Sequence, residues 1–334
     1  MKALRFGLLF CLAWTSAQGA VETLGIPADA AGLVYVSNEV VDRTVLGQAL
    51  EAAIKQDLTQ NKVVRQLEEK LGIRLDADLQ DLRVGIFTPA PNDPEGEPEL
   101  VVLLRGHFTP ARIEAFARSH QVPATTVGKF MAWDAPKFLE ALTGEPAAEP
   151  DKKPSVLIAY SKDLLILATK AKAEATIAAL SGKAKSWKLP AGAAPQQEAL
   201  QNQWLFAYVD VLKAAPPADR AEVEESGIQS LMLNVGENAQ NLQVRLSASF
   251  VDADKAALTL LQLKALPTMI DGALTVAAAG KKPEEVAAME KFQDLIHKIE
   301  ITSAGSTISA QLNYPAQEAA TALLEAAKKS KQAK

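Results

Sequence analysis

Imidazole is the side chain best suited to move a proton near neutral pH or to hold a transition metal, and the chain has three: His107, His120 and His297. Their spacing favours neither use. No two stand in an H-x-H or H-E-x-x-H relation, and the single cysteine, Cys11, falls in an apolar leader. A tetrahedral site would therefore need all three imidazoles, with carboxylates, gathered by the fold alone. His107 reads as a strand-end residue and His297 as a polar residue where a helix gives way to a strand.

Asp76, Asp78 and Asp81 resemble the start of a calcium loop. Gln80 and Asp81 then occupy positions that require a ligand and a glycine, and no glutamate closes the loop, so a turn with capping carboxylates is expected. Gly182-Lys183 lacks the earlier glycine of a phosphate loop and has Ala184 where a magnesium-binding hydroxyl belongs; it reads as a helix stop. No G-x-S-x-G elbow presents a nucleophile. The adjacent acids Glu68-Glu69 and Glu224-Glu225 project in different directions from a helix, which suits solvated surface. The sequence thus assigns no catalytic, cofactor-binding or metal-ligating residue and implies no cofactor. A hydrolase whose site is assembled only by folding is the enzymatic alternative.

The stretch Ala256 to Ala279, rich in leucine and poor in charge, could line a pocket for an acyl chain or meet a partner, although a core helix between sheet and neighbouring domain is the plainer expectation. Lys264, Pro267 and Asp271 argue against a membrane span there.

The elements that must position these residues start after Met1 to Ala20. Lys2 and Arg5, an apolar core from Phe6 to Trp14 and the ending TSAQGA form a secretory leader, cleaved after Gly19 or Ala20. The alternative is a retained anchor. Phe10 before Cys11 argues against lipidation. Removal of the leader leaves no cysteine, hence no disulfide, and losing Lys2 and Arg5 takes the formal charge from −5 to −7. A mildly acidic surface points away from nucleic acid. The expected setting is periplasmic or secreted, with a protein or an apolar ligand as partner and no integral span in the mature chain.

In the mature chain, strand Leu33 to Ser37 is followed by helical periodicity from Asp42 to Leu71, with a break near Thr59 to Asn61 and a stop at Gly72. A hairpin of Leu82 to Thr88 and Glu99 to Phe108 leads to a helix capped by Thr109 with Pro110 first and Ile113, Phe116 and Ala117 inward. Thr125 to Asp134 reads as one strand and Pro136 to Pro154 as a helical turn and loop. Ser155 to Tyr160 pairs with Leu164 to Thr169, and helix Lys172 to Leu180 closes the unit. After a linker, Gln203 to Asp210, Pro217 to Glu225, the hairpin Ile228 to Phe250, a helix behind Asp252 interrupted at Pro267 and Gly272, the hairpin Lys298 to Tyr314 and a last helix repeat the order.

The expected fold class is α+β: two tandem similar domains, each an antiparallel sheet covered by helices, with a ferredoxin-like start. The boundaries are 1–20 leader, 21–182 first domain, 183–199 linker, 200–328 second domain and 329–334 basic tail. Whether the two sheets merge stays open.

GIRLDADLQDLRVGIFT followed by LVVLLRGHFTPARIEAF, with the opening IPADAAGLVYVS, resembles a pattern in secreted bacterial proteins of unknown function. There a Gly-hydrophobic-Asp turn leads into a strand, then an Arg-Gly-x-Phe strand end and a helix. The resemblance implies a duplicated, exported α+β protein and brings no catalytic residue or ligand. The second copy has LSASF where the first has LRGHF, so Arg105 and His107 have no role common to both halves. The functional expectation is an exported, non-enzymatic binding or structural protein of the cell envelope, with a periplasmic carrier of lipid or another apolar ligand as the alternative.

Overall fold

The structure is a computed structural model that describes residues 25–49, 52, 62–89, 98–146, 154–190, 203–238, 240–278 and 283–332. Among the described residues, twelve strands form a single antiparallel sheet in the order β11-β12-β10-β9-β8-β1-β2-β3-β7-β6-β5-β4. The two expected sheets are therefore one. They join where β1 (Gly32–Ser37) pairs with β8 (Gln203–Asp210), in the register Leu33 to Tyr208 and Tyr35 to Phe206.

From β1 outward run β2 (Leu79–Phe87) and β3 (Glu99–Gly106), then β7 (Leu164–Thr169), β6 (Ser155–Ser161), β5 (Phe130–Asp134) and β4 (Ala124–Val127). On the other side of the seam, β8 is followed by β9 (Ile228–Glu237), β10 (Asn241–Phe250), β12 (Thr307–Pro315) and β11 (Ile299–Ala304). In each direction the first three strands lie in chain order, and the next hairpin returns with its second strand inside.

The helices among the described residues include α1 (Asn38–Asp42), α2 (Lys62–Gln66, continued by a π-helical turn Leu67–Leu71), α3 (Leu75–Asp78), α4 (Pro110–Ser119), α5 (Ala135–Thr143), α6 (Lys170–Leu180), α7 (Val211–Ala214), α8 (Arg220–Ser226), α9 (Ala253–Ala278), α10 (Pro283–His297) and α11 (Ala316–Gln332). Because strand side chains alternate between faces, the apolar runs of β1 to β3 fill two layers. Leu33, Phe87, Leu103, Ile166 and Phe206 pack with Trp187 and with Ala173 of α6 on one face, while Val36, Leu82, Val102 and Leu205 meet Val40 and Val41 of α1 on the other. Ile113, Phe116 and Ala117 of α4 are buried as expected, against Leu79 and Leu165.

Toward β11 the pattern changes. Ala248 and Ile308 face α9, whose Ala256, Leu260 and Leu263 cover them. The opposite face carries Arg245, Ser247 and Ser249 opposite Gln311, Ser309 and Thr307. Their polar ends bond across the strands, Arg245 to Gln311 at 2.7 Å and Ser247 to Ser309 at 2.9 Å.

Several local expectations change. Thr125 to Asp134 is a hairpin, not one strand, because Gly128 at φ +60° lets the chain reverse between β4 and β5. Thr109 precedes α4 without a side-chain cap bond. Pro267 does not interrupt α9, which runs unbroken for 26 residues. Proline removes one backbone donor, but tertiary contacts hold both sides: Leu260 and Leu263 against the sheet, and Asp271 by Gln293 (2.7 Å) and His297 (3.0 Å) of α10. The segment expected as linker begins as structure: Ser186 bridges to Pro27, and Trp187 is buried. Its remainder from 191, the helical break at Thr59 to Asn61, the leader and the end of the basic tail lie outside the described residues.

Two polar contacts tie distant segments. The buried Glu237 at the end of β9 accepts hydrogen bonds from the backbone N–H groups of Val45 (2.6 Å) and Leu46 (2.9 Å). In β2, Asp81 is 1% exposed and Arg83 4%; Asp81 Oδ1 lies 2.9 Å from Arg83 Nε and its Oδ2 3.1 Å from Arg105 Nε.

Candidate functional site: a groove across three strands

An open groove of about 640 Å³ lies over β8, β9 and β10, within the size range of small-molecule sites. Two cross-strand rows make its floor. Tyr208, Met232 and Ser247 are register partners in one, and Asp210, Ser230 and Ser249 in the next. Such rows follow from the two-residue period of strands, which puts alternate residues of QWLFAYVD, IQSLMLNVGE and NLQVRLSASF on this face.

The walls are fixed by backbone geometry. Asp210 caps α7 by accepting from the Lys213 N–H at 2.9 Å, which sets Leu212 at one lip. Gly227 at φ +71° stops α8 and turns the chain into β9, so Val223 and Glu224 overhang the floor. Val251 donates its N–H to the Gly227 carbonyl at 2.9 Å and forms the facing lip. Leu212 and Val251 remain 39% and 54% exposed, so the lips are apolar and open to solvent.

Two of the floor hydroxyls meet hydroxyls of β12: Ser247 Oγ lies 2.9 Å from Ser309 Oγ, and Ser249 Oγ lies 3.4 Å from Thr307 Oγ1. Burial pushes the Tyr208 phenol above its ordinary range, and the nearby Asp210 carboxylate adds to that rise. The Trp187 ring packs 5.7 Å from the Tyr208 ring on the same face of the sheet.

Of the acids read as solvated helix surface, Glu224 lines this groove, whereas the three histidines do not. His107 accepts from the Gln80 side-chain amide at 3.2 Å, with its other ring nitrogen 3.8 Å from Asp163. His297 ends α10 beside Asp271. His120 ends α4, its ring stacked 4.2 Å from Phe116. There, sequence reasoning missed the adjacent Ser119: its Oγ is 3.0 Å from His120 Nδ1, yet both groups also reach the Phe116 carbonyl at 2.9 Å. The pair closes a helix end, and no carboxylate orients the imidazole among the contacts found there.

Asp81, expected in a turn, is instead a buried strand residue whose oxygens face two guanidinium groups, an arrangement opposed to calcium. Asp78 accepts from the Arg74 N–H at 2.7 Å; the side chain of Asp76 lies outside the described residues. Gly182 at φ +71° does stop α6. Among the described residues, no group of three His, Cys, Asp or Glu is placed to hold a metal, and no helix is long and apolar enough to cross a membrane.

Within the stretch Ala256 to Ala279 the described residues of α9 have two apolar sides: Leu260 and Leu263 pack on the sheet, while Leu258, Leu261 and Met269 are 64%, 67% and 66% exposed.

No protein-family model matches the chain, and no curated protein does. Solved structures of TP0453 are similar in outline. Crystal form III aligns with a TM-score of 0.46 at 11% identity, over 92% of this chain and 100% of that one. Crystal form I aligns with a TM-score of 0.43 at 9% identity, over 92% and 98%. At that level no property of TP0453 transfers to this chain.

Proposed function

We propose that the chain is an exported binding protein of the cell envelope that holds its ligand without transforming it. The observation that carries this reading is the groove, an open cavity with apolar lips over a floor whose Ser247 and Ser249 hydroxyls meet those of Ser309 and Thr307. Serine hydroxyls held by one another across the strands beneath apolar lips suit recognition of a ligand with an apolar body. Export rests on the leader pattern of Met1 to Ala20. The matching strand order on either side of the β1 and β8 seam supports an internal duplication, with boundaries near 182 and 200.

The carrier alternative narrows to the same place: an apolar body lying between Leu212 and Val251. Native mass spectrometry of protein purified from its own envelope tests it. Wild type carries an apolar molecule, and Leu212→Asp/Val251→Asp loses it with unchanged circular dichroism. Retention of the same mass by the variant, or no bound molecule in wild type, refutes the reading. A second reading, structural association through the outer face of α9, is favoured by the exposure of Leu258, Leu261 and Met269.

A further inference from the structure

The charges around the groove go beyond a general affinity for apolar molecules. Among the described residues its lining holds two ionisable carboxyl groups, Asp210 and Glu224, and no lysine, arginine or histidine. Asp210 shares the floor face of β8 with Tyr208 and lies opposite Ser230. Glu224 comes from the overhanging helix α8. Three cations among the described residues flank the groove without lining it: Lys255 directs its ammonium to the backbone carbonyls of Glu225 (2.7 Å) and Glu224 (3.4 Å), Lys213 to that of Ala30 (3.0 Å), and Arg245 bonds to Gln311 (2.7 Å).

From this geometry we infer that the groove selects an organic cation with an apolar body, an alkylamine-like ligand whose chain lies between Leu212 and Val251 and whose ammonium reaches Asp210 and Glu224. The inference rests on the groove being the binding site. A fatty acid or another ligand with an anionic head brings its charge against the half-buried Asp210 and the exposed Glu224, and at Asp210 the repulsion exceeds its value in bulk water. An ammonium gains from the same field, and the Ser230 and Ser249 hydroxyls can accept from its N–H groups. The apolar lips supply affinity without regard to the head, so the head charge sets selectivity.

Isothermal titration with octylamine, octanol and octanoate tests this, since the three share a chain length and differ in head charge. Octylamine binds at least about tenfold tighter than octanoate, with octanol between them, as two carboxylates at contact range in a partly solvated site give. Asp210→Asn/Glu224→Gln brings the three affinities together; the amide placed at position 210 still offers an oxygen to the Lys213 N–H, so α7 keeps its cap. Equal affinities in wild type, or preference for octanoate, overturn the charge selection and leave the groove as a binding site. Binding of none of the three overturns both. Persistence of the octylamine preference in the double variant overturns the assignment to Asp210 and Glu224.

Discussion

Asp81→Asn offers a sharp test of how the first half of the sheet holds together. The carboxylate sits between Arg83 Nε at 2.9 Å and Arg105 Nε at 3.1 Å, and the side-chain exposures of 2%, 5% and 35% make the three unequal. Arg105 can turn toward water when the acid is neutralised; Arg83 cannot. Removing one member of a buried ion pair costs about 3–5 kcal/mol because the other charge stays buried, so Asp81→Asn is expected in that range. Arg83→Met costs less, since Asp81 keeps Arg105. Combining the two removes the buried guanidinium together with the acid, and the double variant is more stable than Asp81→Asn alone. Urea unfolding with unchanged m-values reads all three, with coincident fluorescence and circular dichroism transitions to support two-state analysis. A loss under about 1 kcal/mol for Asp81→Asn, or strict additivity in the cycle, refutes this description of the ion pair.

Two further outcomes follow from contacts elsewhere. Glu237→Ala removes two charge-assisted bonds to the N–H groups of Val45 and Leu46. It should lower stability by about 3 kcal/mol in urea, with Glu237→Gln between it and wild type; equal stabilities would contradict it. Burial raises the phenol pKa of Tyr35 and of Tyr208 above the ordinary 10.0. The folded state then holds these protons more tightly, so their contribution is complete below pH 10.0 and fades as pH climbs from there through the folded-state values. Urea midpoints that do not fall above that pH, or a 295 nm titration with every tyrosine ionising at the ordinary value, would contradict this.

The sequence made most of the strands legible because alternating or continuous apolar runs bounded by turn residues have few other readings; Gln203 to Asp210 matches β8 at both ends. Helix ends marked by Gly72 and Gly182 were legible for the same reason, both being at positive φ. Pro267 misled because its local cost is visible in sequence, whereas the contacts of Leu260, Leu263 and Asp271 that hold the helix on both sides of it are not. Asp81 misled in the opposite way: near Asp76 and Asp78 it looks like turn chemistry, and only the cross-strand register to Arg105 reveals a buried pair. The groove was hidden because its floor is made of ordinary residues. Alternation tells which of Ser230, Met232, Ser247 and Ser249 share a face, but not that α7 and α8 stop short of covering them.

Met232 lies on the groove floor and Met269 on the outer face of α9, so methyl-labelled methionine separates the two binding surfaces in one spectrum. Titrating this protein with octylamine, octanol and octanoate while recording carbon–proton correlation spectra should shift the Met232 methyl resonance, saturably, and leave that of Met269 in place. A Met232 resonance that stays fixed while Met269 moves would contradict the groove as the site of binding.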